Sequence, residues 1–254
     1  MENQPCFLMG RNPVREAVKN GRSIDKILVQ EEQDGSLREI TTLAKHRGII
    51  VQPATRQKLD GMTLPFGHNG KPGNHQGIIA LIPEVTYCAV ADIIDAARTR
   101  NEDPFILVLD EINDPHNLGA MIRSAACAGA HGVIIAKRRA ASVTAAVAKT
   151  SAGAIEYVKI ARVVNINAAI QELKAKGVWV AGGDTEGTPM GEVDLTGPLA
   201  IVIGNEGEGL SRLVRENCDC VAKIPMKGAM ASLNASVAAA ILLFEKTRQD
   251  AAKG

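Results

Sequence analysis

The sequence predicts an α/β protein whose carboxy-terminal part is a parallel β-sheet with crossover helices. From Phe105 onward, short apolar runs alternate with segments of helical periodicity, and this alternation is typical of parallel sheets covered by helices. The run Leu199–Ile203 is uninterrupted and rich in β-branched residues, as expected of a strand buried on both faces. A glycine-rich turn follows it, and a helical pattern resumes at Leu210.

Composition narrows the class of protein. The 254 residues are 46% hydrophobic and 22% charged, which allows one large domain or two smaller ones. No apolar run approaches the roughly 20 residues of a membrane helix. The five cysteines are scattered, and Cys218 and Cys220 lack the second pair of a zinc site. We therefore expect a reduced, cytoplasmic protein with no metal and no membrane association.

The amino-terminal segment, residues 1–82, is predicted to be a small separate α/β unit. Its predicted helices are Arg11–Val18 and Ser36–His46, and its predicted strands are Asp25–Gln30, Gly48–Gln52 and Gly77–Ile82. It holds 11 Lys/Arg against 8 Asp/Glu, a balance of +3, while the remainder holds 18 against 20, a balance of −2. So small an excess does not by itself establish a nucleic-acid partner.

A connector and then a second domain are predicted beyond this unit. Residues 83–104 lie between prolines and carry one amphipathic segment, so we place a linker there and a domain over 105–254. Its predicted strands are Ile106–Leu109, Val133–Ala136, Tyr157–Ile160, Val178–Ala181, Leu199–Ile203 and Ala222–Ile224. Its predicted helices are Leu118–Ala128, Asn167–Lys176, Leu210–Asn217 and Leu233–Thr247.

Three polar clusters follow strands of this second domain. In the first, an apolar stripe through Leu118 and Ile122 places Arg123 on the opposite side of a helix, with Asn117 as its expected N-cap. The third begins an apolar helix, where capping explains Ser232 but leaves Asn234 without a partner. Loops after the carboxyl ends of parallel strands gather at one edge of a sheet, so the clusters are expected to meet.

The second cluster is the glycine turn with Gly204, Asn205 and Glu206. Arg212 stands where a dinucleotide fingerprint requires its third glycine, and no Walker lysine is present. The acids in the turn favour a cationic or neutral ligand over a phosphate. A nucleotide-binding enzyme of the Rossmann kind is therefore a disfavoured alternative.

These residues resemble a known family. Asn117-Leu-Gly-Ala-Met-Ile-Arg-Ser-Ala, Ile203-Gly-Asn-Glu-Gly-Glu-Gly-Leu, and Ile224-Pro-Met with Ser232-Leu-Asn-Ala-Ser resemble the three motifs of the SpoU (TrmH) family of RNA ribose methyltransferases. Arg11-Asn-Pro-Val-Arg and His75-Gln-Gly-Ile resemble the amino-terminal domain of its RlmB branch, which methylates a guanosine of large-subunit ribosomal RNA. At the corner formed by His75 and Gln76, the residues alone favour a simple turn.

The resemblance implies a fold, a cofactor and partners. The fold would be a SPOUT-type parallel sheet with a deep carboxy-terminal trefoil knot, an exception to the rule that chains do not thread. The amino-terminal domain would be L7Ae/L30e-like and would hold RNA. S-adenosylmethionine would bind among the knotted loops of a homodimer.

The resemblance also implies roles for particular residues. Gly204, Ile224 and Leu233 would line the cofactor pocket. Asn117, Arg123, Glu206 and Asn234 would be the functional polar residues. The expected reaction is 2′-O-methylation of a ribose, that of a guanosine in large-subunit ribosomal RNA. A transfer RNA methyltransferase and a non-catalytic RNA-binding relative are the alternatives.

The chemistry implied by this family suits the residues present. Methyl transfer to a ribose hydroxyl is a single displacement that needs no cysteine nucleophile and no metal. Family proposals make the motif-one arginine the base, but an arginine side chain stays protonated in proteins. We therefore expect Arg123 to clamp an RNA phosphate or to polarise the 2′-oxygen. Glu206 would orient Arg123 or Asn117, within one chain or across a dimer, and favour the sulfonium.

Overall fold

A computed structural model describes residues 7–66, 71–83, 85–228 and 232–253, which form two compact units that divide between Thr86 and Tyr87. The strands of the first unit are β1 (Phe7–Met9), β2 (Lys26–Gln30), β3 (Ile50–Ala54) and β4 (Ile78–Leu81). Its helices are α1 (Arg11–Lys19), α2 (Gly35–His46) and α3 (Arg56–Thr63). The predicted helices and strands of this unit are present at these places, whereas β1 and α3 were not predicted.

The four strands form a sheet in the order β1-β4-β2-β3. β2 and β3 run parallel, and β4 runs antiparallel to both β1 and β2. Val14, Leu37 and Ile40 of α1 and α2 pack on one face of this sheet, and Leu59 of α3 packs on the other. β1 is short and α3 is weakly apolar, so neither has a clear hydrophobic periodicity in the sequence. Both are stabilised by packing against this sheet, and the sequence therefore did not reveal them.

The two amino-terminal segments that carry the family resemblance touch each other. The backbone N–H of Arg11 donates to Oε1 of Gln76 at 3.0 Å, and Nε of Arg11 donates to the carbonyl oxygen of Gln76 at 3.2 Å. The neighbouring His75 is buried, accepts a bond from the N–H of Gly77 at Nδ1, and lies 2.9 Å from Asp60 through Nε2. His75 therefore joins α3 to the start of β4 and is not exposed for RNA contact.

The second unit is a parallel sheet between two layers of helices, as predicted. Its strands are β5 (Phe105–Leu109), β6 (Gly132–Ala136), β7 (Lys159–Val163), β8 (Trp179–Pro189), β9 (Leu199–Ile203) and β10 (Cys220–Lys223). Its helices are α4 (Val90–Thr99), α5 (Pro115–Cys127), α6 (Ala145–Thr150), α7 (Ile166–Ala175), α8 (Arg212–Asn217) and α9 (Ala235–Lys253). The strand order is β10-β8-β9-β5-β6-β7, and the pairs are parallel.

The central strands β5 and β9 are buried along their whole length, because helices cover both faces of the sheet. The helices α4, α7 and α8 pack on one face through a single apolar cluster. On the other face, α5 packs against α6 and α9. This arrangement brings the loops that follow β5, β9 and β6 to one edge of the sheet.

The structure differs from the predicted linker over most of residues 83–104. The helix α4 lies within that segment, and its apolar residues Val90, Ile93, Ile94 and Ala97 are buried in the core of the second unit. The backbone of Cys88 pairs with that of Ala161 of β7 in an isolated parallel β-bridge. The amphipathic stripe was visible in the sequence, but the sheet face that covers it became known only from the structure.

Other differences concern single elements. β7 begins at Lys159 rather than Tyr157, β8 continues to Pro189, and α6 was not predicted. Among the described residues, no helix is long and apolar enough to cross a membrane. In the same residues there is no group of three or more His, Cys, Asp or Glu side chains placed to hold a metal ion.

Candidate active site

The glycine turn after β9 is closed by its own backbone. The N–H of Asn205 donates to the carbonyl oxygen of Gly209 at 3.1 Å, and the N–H of Gly209 donates back at 3.0 Å. A Cβ atom at Gly204 would overlap the backbone of Gly209. The turn itself therefore requires glycine at position 204. Glycine is needed there for closure of the turn as well as for leaving room for a ligand. This closure holds Glu206 at the tip of the turn.

Three of the four predicted polar residues meet at this tip within one chain. The amide nitrogen of Asn234 donates to Oε1 of Glu206 at 2.9 Å and to Oδ1 of Asn117 at 3.1 Å. The amide nitrogen of Asn117 also donates to Oε1 of Glu206. Because an ionised carboxylate can only accept hydrogen bonds, Glu206 fixes which way both amides point.

Helix ends position the two amides. Asp114, rather than Asn117, is the N-cap of α5, and its carboxylate accepts from the N–H groups of His116 and Asn117. Asn117 lies inside the first turn and is only 9% exposed.

Asn234 directly precedes α9 and caps it. Its Oδ1 accepts from the backbone N–H of Ser236 at 2.9 Å and from the hydroxyl of Ser236 at 2.6 Å. One amide thus serves two purposes, with its oxygen holding the helix start and its nitrogen held in the cluster. Capping by Asn234 was not expected from the sequence, which favoured Ser232.

A buried aspartate holds the loops after β5 and β9 together. Asp110 is 5% exposed, and its Oδ2 accepts from the N–H of Ser211 at 2.9 Å. Its own N–H donates to the carbonyl oxygen of Ile203 at 2.8 Å. The sequence did not single out Asp110, because its partner lies 101 positions away in the chain.

A cavity of about 280 Å³ opens on one side of the glycine turn. The three residues expected to contact the cofactor, Gly204, Ile224 and Leu233, all line it. Its apolar wall also includes Ile203, Ala222, Ala238 and Leu242. Apolar walls with a few convergent polar groups are typical of small-molecule sites, whose volumes begin near about 300 Å³. The cavity therefore fits a small molecule that has an apolar side.

The polar side of this cavity is acidic. Glu206 and Glu208 line it together with Asp184, which was not predicted. Asp184 forms an ion pair with Arg215 at 2.7 Å, so that carboxylate is already neutralised. Asp184 follows the buried part of β8 at the same sheet edge, and that position after a strand is the signal that could have identified it.

A second cavity, of about 500 Å³, lies on the other side of the same turn. It is lined by Glu111, Asn113, Asp114 and Asn117 from the loop and helix after β5, and by residues 205–208. Glu206 borders both cavities. The hydrogen-bonded cluster therefore stands between two spaces, each open to a ligand.

The fourth predicted polar residue, Arg123, lies outside this hydrogen-bonded cluster. It is exposed on α5, six residues after Asn117 and about 9 Å further along the helix axis. It makes neither a hydrogen bond nor an ion pair with the described part of the chain. Within one chain Glu206 therefore orients Asn117, and the expected contact between Glu206 and Arg123 is not formed.

Comparisons with known proteins identify the family of the chain. Residues 104–244 match the SpoU rRNA Methylase family, and residues 7–88 match the RNA 2′-O ribose methyltransferase substrate binding domain. The chain is 43% identical over 251 residues to the TrmH family tRNA/rRNA methyltransferase YacO of Bacillus subtilis, with 98% of each chain covered. It is 42% identical over 248 residues to a TrmH family tRNA/rRNA methyltransferase of Staphylococcus aureus, with 97% of each covered.

A solved structure is also similar. The SpoU methyltransferase AviRb from Streptomyces viridochromogenes, in complex with AdoMet, matches with a TM-score of 0.61 and 27% identity, over 99% of this chain and 92% of that one. The fold, the site and these relatives define an RNA methyltransferase that uses S-adenosylmethionine. The chain belongs to the SpoU (TrmH) family.

Proposed function

We propose that the protein methylates the 2′-hydroxyl of a ribose in RNA, and that its substrate is a guanosine of large-subunit ribosomal RNA. The observation that carries this proposal is the cluster of Asn117, Glu206 and Asn234 between two cavities. A transferase needs one space for each substrate and fixed polar groups where they meet. This site has both features.

The first cavity is assigned to the cofactor. S-adenosylmethionine supplies a methyl group carried on a positively charged sulfur. Gly204, Ile224 and Leu233 would hold the cofactor against an apolar wall, and the carboxylates of Glu206 and Glu208 would favour its positive charge. Asp184 contributes less to this attraction because Arg215 already neutralises it.

The second cavity is assigned to the target nucleotide. The amide nitrogen of Asn117 carries two hydrogens, and its bond to Glu206 uses one of them. The other can donate to the 2′-oxygen as negative charge develops there, while the hydroxyl proton is released to solvent water at the open cavity. Because Glu206 and Asn234 hold this amide in place, the donor requires no reorganisation during the reaction. Glu206 and Asn234 are thus positioning residues for Asn117.

Arg123 is assigned to the RNA substrate and not to proton removal, since an arginine side chain remains protonated. In a homodimer, Arg123 of one copy would reach the active site of the other copy. The helix α9 packs beside α5 and exposes Val237 and Phe244, which are seven residues apart and share one face. A second copy covering this stripe would adjoin the helix that carries Arg123.

The remaining assignments follow from the family. The carboxy-terminal part is proposed to contain the trefoil knot, and the first unit to be an L7Ae/L30e-like domain that binds RNA. The +3 balance of residues 1–82 and their match to a substrate-binding domain support that role. The relatives' names cover both transfer and ribosomal RNA, so transfer RNA is the second candidate substrate.

The test is to incubate the protein with S-adenosylmethionine and with unmodified ribosomal and transfer RNA, and then to map the 2′-O-methylated ribose. Methylation of one guanosine in large-subunit RNA is expected. Glu206→Gln is the control with an impaired site, since this variant keeps the size of the side chain and loses its charge. Methylation of transfer RNA alone would replace the substrate assignment. Cofactor binding without methylation of either RNA would favour a non-catalytic relative.

A further inference from the structure

A group of basic side chains lies at the carboxyl edge of the sheet, beside the second cavity. Lys137, Arg138 and Arg139 directly follow β6, and Arg162 lies near the end of β7. In the register of the two strands Arg162 stands opposite Ile135. Lys137 is two residues beyond Ile135, and side chains alternate along a strand. Lys137 and Arg162 therefore lie on the same face of the sheet.

The loop that carries these cations is held against the wall of the second cavity. The guanidinium of Arg139 forms an ion pair with Glu111 at 3.1 Å, and the N–H of Ala141 donates to the carbonyl oxygen of Ile112 at 2.8 Å. Glu111 and Ile112 both line the cavity. The basic loop is thus an extension of the proposed site and not a separate surface.

The two residues of this ion pair, Glu111 and Arg139, both have strained backbone conformations. Glu111 has a φ of 60° and Arg139 a φ of 52°, a left-handed conformation that is unfavourable for a residue other than glycine. Glycine would adopt it without that cost. Two charged residues occupy these positions and pair with each other, and the backbone bond from Ala141 to Ile112 holds the same loop in place.

The cations lie close to one another. Burial lowers the pKa of Lys137, and the neighbouring charges of Arg162 and Arg138 lower it further. Among the described residues, no carboxylate forms an ion pair with Lys137 or Arg138. The guanidinium of Arg162 lies over the ring of Tyr87, 4.3 Å from its centroid, which holds Arg162 in place. A positive charge is thus concentrated here, although residues 83–254 carry a balance of −2.

We propose that Lys137 and Arg138 form a second RNA-binding surface, within the catalytic unit, that contacts the phosphates next to the target nucleotide. The proposal rests on the proposed function. The cavity itself is acidic and repels phosphate, so a nucleotide entering it must keep its flanking phosphates outside. The basic loop lies at that border through the pair of Arg139 and Glu111. The amino-terminal unit would then supply only part of the affinity for RNA.

The test compares two double variants of the full chain. Lys137→Ala with Arg138→Ala removes two cations of the surface. Arg100→Ala with Lys176→Ala removes two exposed cations that precede β5 and β8, at the opposite edge of the sheet. The RNA used is the one that the wild type methylates, in its unmodified form. For each protein, its dissociation constant is measured between 50 and 200 mM salt. Affinity for S-adenosylmethionine is measured by calorimetry.

The first variant should bind RNA several-fold to about tenfold more weakly at low salt, and the slope of log affinity against log salt should fall by about 1.5, because each phosphate contact contributes roughly 0.7–0.9. The control should match wild type, and all three should bind the cofactor equally. Arg138→Glu alone, at an exposed position, should change RNA binding in the same direction.

An unchanged dissociation constant and salt slope in the first variant, with wild type still methylating RNA, would overturn the second surface and leave the proposed function intact. If wild type neither binds nor methylates RNA, the proposed function and this inference both fail.

Discussion

The amide nitrogen of Asn234 lies 2.9 Å from Oε1 of Glu206, which joins the residue that starts α9 to the tip of the glycine turn. The same nitrogen reaches Oδ1 of Asn117. Three loops that are far apart in sequence thereby share one hydrogen-bonded cluster. Losing Asn234 would remove one partner from Asn117 and one from Glu206, which would remain bonded to each other.

Asn234→Asp tests the cluster without removing the helix cap. Aspartate caps helices as well as asparagine does, so the start of α9 should be retained. The amide donor is lost, however, and a second carboxylate faces Glu206. The methylation rate should fall by about 10²-fold, the size of effect seen when a preorganised donor is lost. Ser236→Ala, which removes only a bond to the cap oxygen, should retain most of the activity. Equal losses in both variants would contradict the role of the cluster.

Ala238→Leu tests the cofactor cavity. Ala238 lines it from α9, so the larger side chain should occupy the space and weaken S-adenosylmethionine binding by at least about tenfold in calorimetry. Ala238→Ser is the matched control and should bind normally. Gly204→Val is less informative, because the turn would not close around any side chain at that position. If Ala238→Leu binds like wild type, the cofactor lies elsewhere.

Arg123→Lys separates two roles of the arginine. The residue is exposed, so stability should change by no more than roughly 0.5 kcal/mol. Lysine keeps the charge but loses the planar fork, and activity should stay low across the pH range if Arg123 binds phosphate. A free lysine titrates near about 10.4. Activity of the variant that rises steeply toward about pH 10, while wild type stays flat, would indicate a base and contradict the clamp.

Two truncations test the boundary between the units. A fragment that begins at Tyr87 keeps α4, whereas one that begins at Pro104 exposes the core that Val90, Ile93 and Ile94 cover. Burying one such side chain contributes about 1.5–3 kcal/mol. The longer fragment should unfold cooperatively and bind S-adenosylmethionine, and the shorter one should aggregate or melt at a clearly lower temperature. Equal melting temperatures would show that α4 is dispensable.

Glu245 predicts a pH dependence of stability. Hydrogen bonds from Arg248, at 2.8 Å to each carboxylate oxygen, lower the pKa of Glu245 to about 2. Because this is below the unfolded value of about 4.3, the stabilisation is complete above that pH and is lost as the pH falls toward 2. Glu245→Gln should therefore melt at a lower temperature than wild type at neutral pH. The difference should shrink between about pH 4.5 and 2. Glu172→Gln, at an exposed position on α7, should show no such trend.

Local sequence was sufficient for much of the fold. Apolar runs located the central strands β5 and β9 of the second sheet, because a strand buried on both faces must be continuously apolar. They failed for β1 and α3, whose stability comes from the sheet they pack on. The amphipathic stripe of α4 was recognised but was assigned to a linker, because the sheet face that covers it is not visible in the sequence. The residues alone singled out Asn234, since a polar group that begins an apolar helix needs a partner. The resemblance of the three motif segments to the family added Asn117 and Glu206.

The sequence by itself determined that polar residues follow parallel strands, and so that they meet at one sheet edge. Only the tertiary structure decided which of them touch. Asn117, Glu206 and Asn234 converge, while Arg123 remains apart on α5. The buried Asp110 and the pair of Glu111 and Arg139 were likewise hidden. The reason is physical: strand and helix periodicity is a local property, whereas a hydrogen bond between residues about a hundred positions apart depends on the packing of every element between them.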